Sequence, residues 1–75
     1  MTKREAKLGT RVRVGEGAGL DSGKVGVVVK PRLDHRGFPK DVPGVYKPFD
    51  PKKEAYILCD DQTYTAMYFN YLTRV

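Results

Sequence analysis

The sequence holds no tryptophan, one cysteine and one histidine. The single thiol, Cys59, cannot close a bridge within the chain, whereas small domains of oxidising compartments are usually stapled by several disulfides. A reducing cytoplasm is therefore the expected setting. No apolar run approaches the roughly 18 residues that a membrane-spanning helix needs. The charged opening MTKREAKLG has no apolar stretch of the kind a secretory leader carries. No membrane association is expected. One His and one Cys, without a second close pair, fall short of structural zinc ligation, so no metal or cofactor is expected.

What remains is a short, basic chain. Its 75 residues suffice for one domain. A domain this small buries only roughly 60% of the surface of its unfolded chain, so its core is thin and a deep substrate cavity is not expected. The formal net charge of +5 favours acidic partners such as phosphate backbones.

Residues 1–8 read as a flexible basic lead-in, with Lys3, Arg4 and Lys7 and no hydrophobic period. Residues 9–75 form the domain. TRVRV (10–14) alternates strictly, placing Val12 and Val14 on one face and Arg11 and Arg13 on the other. The glycine-rich loop 15–23 follows, then a second strand, KVGVVVK (24–30), in which Gly26 suggests a bulge or bend. All five prolines fall within residues 31–53, which excludes a central strand or a long helix there. This is a long loop for a small domain. Asp50 before Pro51 suits a capped single turn. EAYILCD (54–60) and TYTAMYF (63–69) read as a hairpin turning at residues 60–62. LTRV (72–75) adds a fifth short strand after a turn at Asn70 and Tyr71. Five short strands with turns between them predict an all-β barrel, which would also remove exposed strand edges.

Across GTRVRVGEGAGLDSGKVGVVV (9–29) the chain resembles the KOW motif, at Gly9, Val12, Val14, Gly17, Gly23, Lys24, Gly26 and Val28. That resemblance implies an SH3-like barrel of the kind found in ribosomal proteins and transcription elongation factors, where it contacts RNA, other nucleic acid or protein. It covers roughly a third of the chain. The loop here is longer than the usual form and carries Glu16 and Asp21, which makes it less attractive to a phosphate backbone. The fold expected is thus a five-stranded SH3-like barrel with a long proline-rich loop between strands 2 and 3.

Several constellations favour the bland reading. AGLDSGKV (18–25) approaches a nucleotide-binding loop, but Ala18 replaces the first Gly, Val25 replaces the magnesium-binding Ser or Thr, and a strand follows where a helix must. His35, between Asp34 and Arg36, has no nucleophile to serve and reads as a solvated loop residue. Cys59 precedes two acids, which would raise rather than lower its thiol pKa. Asp60 and Asp61 read as solvated turn residues. No acid–base couple is evident, so the chain is not expected to be an enzyme.

Charge is unevenly spread. Residues 23–53 carry Lys24, Lys30, Arg32, Arg36, Lys40, Lys47, Lys52 and Lys53 against Asp34, Asp41 and Asp50, while residues 54–75 are net acidic. Phe38, Tyr46 and Phe49 are interleaved with those bases. Cations for phosphates and aromatics for bases are what single-stranded nucleic acid requires. The eight basic residues are therefore the candidate RNA- or DNA-backbone contacts, and the three aromatics are candidates for stacking or docking. Two expectations stand side by side: a nucleic-acid-binding module of a ribonucleoprotein or transcription-type assembly, and a protein-interaction module that docks through loop 31–53.

Overall fold

The computed structural model describes residues 1–75. The chain is all-β, with one antiparallel sheet of five strands: β1 (Arg11–Val14), β2 (Val25–Val29), β3 (Glu54–Cys59), β4 (Tyr64–Tyr68) and β5 (Leu72–Arg74). The strand order is β4-β3-β2-β1-β5. The only helical elements are single 3-10 turns at Gly19–Asp21 and Phe69–Tyr71. Each strand lies within the segment that alternation and turn residues predict.

The order of the strands dictates their curvature. β4 and β5 lie on opposite edges of the sheet, yet only Phe69–Tyr71 separate them in sequence. Four strand spacings in a flat sheet amount to about 19 Å. Four residue steps reach at most about 14 Å, even fully extended. The sheet must therefore curl until its edges approach where β4 passes into β5. It does not close: no ladder joins β4 to β5, and both remain edge strands. Removal of the strand edges, expected from a barrel, is thus not achieved by hydrogen bonding. The β5 edge is partly covered instead, because the Met1 ammonium donates to the Leu72 carbonyl at 3.2 Å. The lead-in is folded back to make that contact. A turn over Thr2–Ala6, in which the Glu5 carboxylate accepts from the Thr2 amide, brings Met1 and Ala6 against the core.

One face of the sheet buries Val12, Val14, Val28, Ala55, Ile57, Cys59, Met67 and Leu72, with Phe69 added from the 3-10 turn. Alternation produces this set directly: register pairs Val14 with Leu72, Val28 with Ile57 and Ala55 with Met67. Thr65 is buried on the same face, and its hydroxyl donates to the Asp21 carboxylate at 2.8 Å, tying the glycine-rich loop to β4. Gly26 forms no bulge. It is paired in register with Val12 on one side and Cys59 on the other, at a crossing too close for a side chain.

On the second face the proline-rich loop packs over Tyr56, while Arg11 and Arg13 stay exposed. Tyr56, Ala66 and Tyr64 share that face by register. Phe49 packs edge-on against Tyr56 at 5.8 Å between ring centroids, and Tyr56 leans on Tyr64 at 5.6 Å. The buried Tyr56 hydroxyl donates to the Arg32 carbonyl and accepts from the Asp41 amide, so one tyrosine fastens two points of the loop. Burial pushes the Tyr56 phenol above its ordinary value. The loop ends in the expected turn at Asp50. The Asp50 carboxylate accepts from the Lys52 amide, while the Glu54 carboxylate accepts from the Asp50 amide.

Candidate nucleic-acid interface

The eight basic residues singled out in the sequence do not gather on one surface as free charges. Three are held by acids. The Lys24 ammonium donates to the Thr63 hydroxyl and lies 3.1 Å from Asp21 and 3.3 Å from Asp61, carboxylates that raise its pKa, the Asp21 hydrogen bond foremost. Arg32 reaches Asp41 at 3.5 Å. Arg36 pairs with Asp34 at 3.1 Å and lies over the Phe38 ring, 4.5 Å from its centroid. Asp34 also accepts from the Phe38 and Arg36 amides, which hold its carboxyl below the ordinary value. The other five, Lys30, Lys40, Lys47, Lys52 and Lys53, are exposed and make no ion pair.

Three of those five converge on a residue outside the candidate set. Tyr68, the last residue of β4, is 39% exposed. The Lys47 ammonium lies 4.6 Å from the centroid of its ring and donates to its hydroxyl. That hydrogen bond is the main cause of the raised Lys47 pKa, which keeps the amine charged. Lys52 and Lys53 border the same tyrosine. The Lys53 carbonyl accepts from the Phe69 amide at 3.0 Å, locking the 51–53 turn beside the end of β4. Lys52, Lys53, Tyr68, Phe69 and Asn70 together line a hollow of about 290 Å³. Asp50 and Glu54 are the nearby acids, and both accept backbone amides of the same turn.

The aromatics divide as sharply. Phe49 is buried against Tyr56 and has no face to offer a base. Phe38 is partly buried with Arg36 over its ring. Tyr46 is 93% exposed, beside Lys47 in sequence. It overhangs a second, more apolar groove of about 280 Å³, lined by Val42, Pro48, Phe49 and Ala66 among others. That one of the adjacent Tyr68 and Phe69 faces outward was legible from alternation, and the outward one is Tyr68. Its lysine partners were not, because they lie 15 to 21 positions away in a loop whose path is fixed by Tyr56.

β4 is also the less protected edge. The Cys59 amide donates to the Thr63 carbonyl, and the Phe69 amide to the Lys53 carbonyl. With the register between, these bonds place Thr65 and Met67 in the hydrogen-bonded pairs with β3. The peptide groups of Tyr64, Ala66 and Tyr68 therefore point away from β3, toward the free edge.

The remaining titratable groups are accounted for by structure. Burial raises the Cys59 thiol above its ordinary value, and the side chain packs in the core. His35 is exposed. No group of three or more His, Cys, Asp or Glu side chains is arranged to hold a metal ion, and no helix is long and apolar enough to cross a membrane. Comparison with known protein families, curated proteins and solved structures returns no match to this chain.

Proposed function

We propose that this chain is a non-catalytic nucleic-acid-binding module built on an SH3-like barrel, of the kind used in ribonucleoprotein or transcription-type assemblies. The KOW-like stretch 9–29 supports the fold reading, as does a five-stranded sheet curled until its two edges approach. One observation carries the binding reading: an exposed tyrosine ring with one lysine ammonium over it and two more lysines bordering the same hollow. Lysine ammoniums are point charges suited to phosphate, and an aromatic face accepts any base. The motif loop is not the contact, because Lys24 is neutralised there by Asp21 and Asp61. The interface lies at the end of β4 and the 47–53 segment. Titration of labelled RNA and DNA at two salt concentrations tests the reading. Saturable binding that weakens steeply with salt is expected, and no saturable binding at low salt would reject it.

A second reading rests on Tyr46. A ring 93% exposed above an apolar groove suits a protein partner docking on loop 31–53. Recovery of a stable protein partner from nuclease-treated native extract, lost on Tyr46→Ala, would favour it.

A further inference from the structure

The hollow at the end of β4 has a composition that backbone binding alone does not require. It is lined by two aromatics, Tyr68 and Phe69, two lysines, Lys52 and Lys53, and one asparagine, Asn70. The Asn70 side chain is exposed and makes no hydrogen bond within the protein, so its carbonyl and its NH₂ are both free. A carboxamide presents one donor and one acceptor side by side, the arrangement that matches the hydrogen-bonding edge of a nucleobase. Lysines suffice for phosphates, whereas an aromatic face and a free amide edge offer contacts that a base can also use.

We infer that this hollow takes a single unpaired nucleobase, and that the protein consequently selects single-stranded over double-stranded nucleic acid. This inference rests on the nucleic-acid reading above and specifies its substrate. The base stacks on the face of the Tyr68 ring opposite Lys47, its edge meets the Asn70 carboxamide, and the flanking phosphates meet Lys52, Lys53 and, beyond the ring, Lys47. Lys47 contributes twice. Its contact with the Tyr68 hydroxyl fixes the ring, and its charge lies over the ring outside the hollow. The volume of about 290 Å³ lies just below the roughly 300–1,000 Å³ usual for ligand sites, which suits one base. A duplex cannot use the hollow, since its bases are already stacked and their pairing edges occupied, and extruding one costs a few kcal/mol. The unpaired β4 edge leaves the approach clear for an extended strand.

The test is fluorescence anisotropy with one labelled oligonucleotide, used single-stranded and annealed to its complement, on the wild-type chain and on Tyr68→Ala, Tyr68→Phe and Asn70→Ala. The expected result is single-strand affinity at least ten-fold above duplex affinity. Tyr68→Ala removes a stacking platform and should weaken single-strand binding roughly ten-fold or more, and duplex binding by a clearly smaller factor. Tyr68→Phe retains most of the affinity, which separates stacking from the hydroxyl contact. Asn70→Ala weakens binding for some base identities at the stacked position and not others. Equal affinity for the two forms, or a Tyr68→Ala protein with wild-type single-strand affinity, would overturn the inference and leave the backbone-binding reading intact. Failure to bind either form would remove that reading, and this one with it. Tyr68 and Asn70 are exposed, and matching thermal melts establish that each variant is folded.

Discussion

Gly26 and Leu58 approach so closely that a Cβ on Gly26 would lie 2.4 Å from the Leu58 carbonyl oxygen. The same atom would meet the Cys59 Cα and the Ile57 side chain at 2.8 Å. Two of these neighbours are backbone, so no side-chain rotation relieves the clash. Gly26 sits in the middle strand of the curled sheet, paired on both sides, where β3 crosses β2 most tightly. Gly26→Ala is therefore expected to destabilise the fold by about 2 kcal/mol or more, within the upper range of overpacking effects. The urea midpoint measures this. A midpoint equal to wild type would show that the sheet opens freely at this crossing.

Phe49 is the tether between the proline-rich loop and the sheet. Its ring is buried against Tyr56, and its amide donates to the Gly37 carbonyl at 2.8 Å, so it fixes the loop at both ends of the residue. Phe49→Ala is expected to cost about 3 kcal/mol and to expose residues 31–53 to limited proteolysis before the sheet itself is cut. Tyr46→Ala, at an exposed ring in the same loop, should change stability by less than about 0.5 kcal/mol. Equal proteolysis of the two variants would mean that Phe49 does not hold the loop.

The strands were legible because their signals are local: Val12 and Val14 declare their face against Arg11 and Arg13 within a few residues. The candidate interface was legible only by half. Charge counting collected Lys24, Arg32 and Arg36 with Lys47, Lys52 and Lys53, since composition cannot show that Asp21, Asp41 and Asp34 fold back onto the first three. Phe49 carried the same ambiguity, because an aromatic among lysines stacks on ligand or on core according to the path of the loop. That path depends on the Tyr56 hydroxyl meeting Arg32 and Asp41, contacts made 24 and 15 positions away in sequence.

The acid limb of stability follows from four depressed carboxyls, one of them Glu5, lowered chiefly by the Thr2 amide. Asp60 is held below its ordinary value of 3.8 chiefly by the Arg11 guanidinium, which it accepts in two hydrogen bonds. Asp61 is lowered by the Thr63 hydroxyl and amide, and Asp34 by the Phe38 amide first. A carboxyl whose folded pKa lies below its unfolded one contributes stability that is complete above the unfolded value. That contribution is lost as pH falls through the folded value. Melting temperature should therefore hold from neutral pH down to about 5 and decline progressively below about pH 4. Asp60→Asn should flatten part of that decline. A melting temperature that rises on acidification would contradict the assignment.

Salt dependence separates the lysines at the tyrosine from those held by acids. For single strands each neutralised phosphate contributes about −0.7 to the slope of log K against log salt. Three contacts from Lys47, Lys52 and Lys53 predict a slope of about −2. Lys52→Gln should reduce its magnitude by about 0.7 and weaken binding for every sequence alike. Lys24→Gln should leave the slope unchanged, because that ammonium already has Asp21 and Asp61 as counter-charges and releases no ion from the nucleic acid. The same substitution should lower stability, since it strands two carboxylates beside each other near the Thr65 tie to the glycine-rich loop. Opposite signatures are thus expected from two lysines that composition treats alike: slope without stability for Lys52, stability without slope for Lys24. Equal slope changes for both would place the phosphate path across the motif loop rather than along the end of β4.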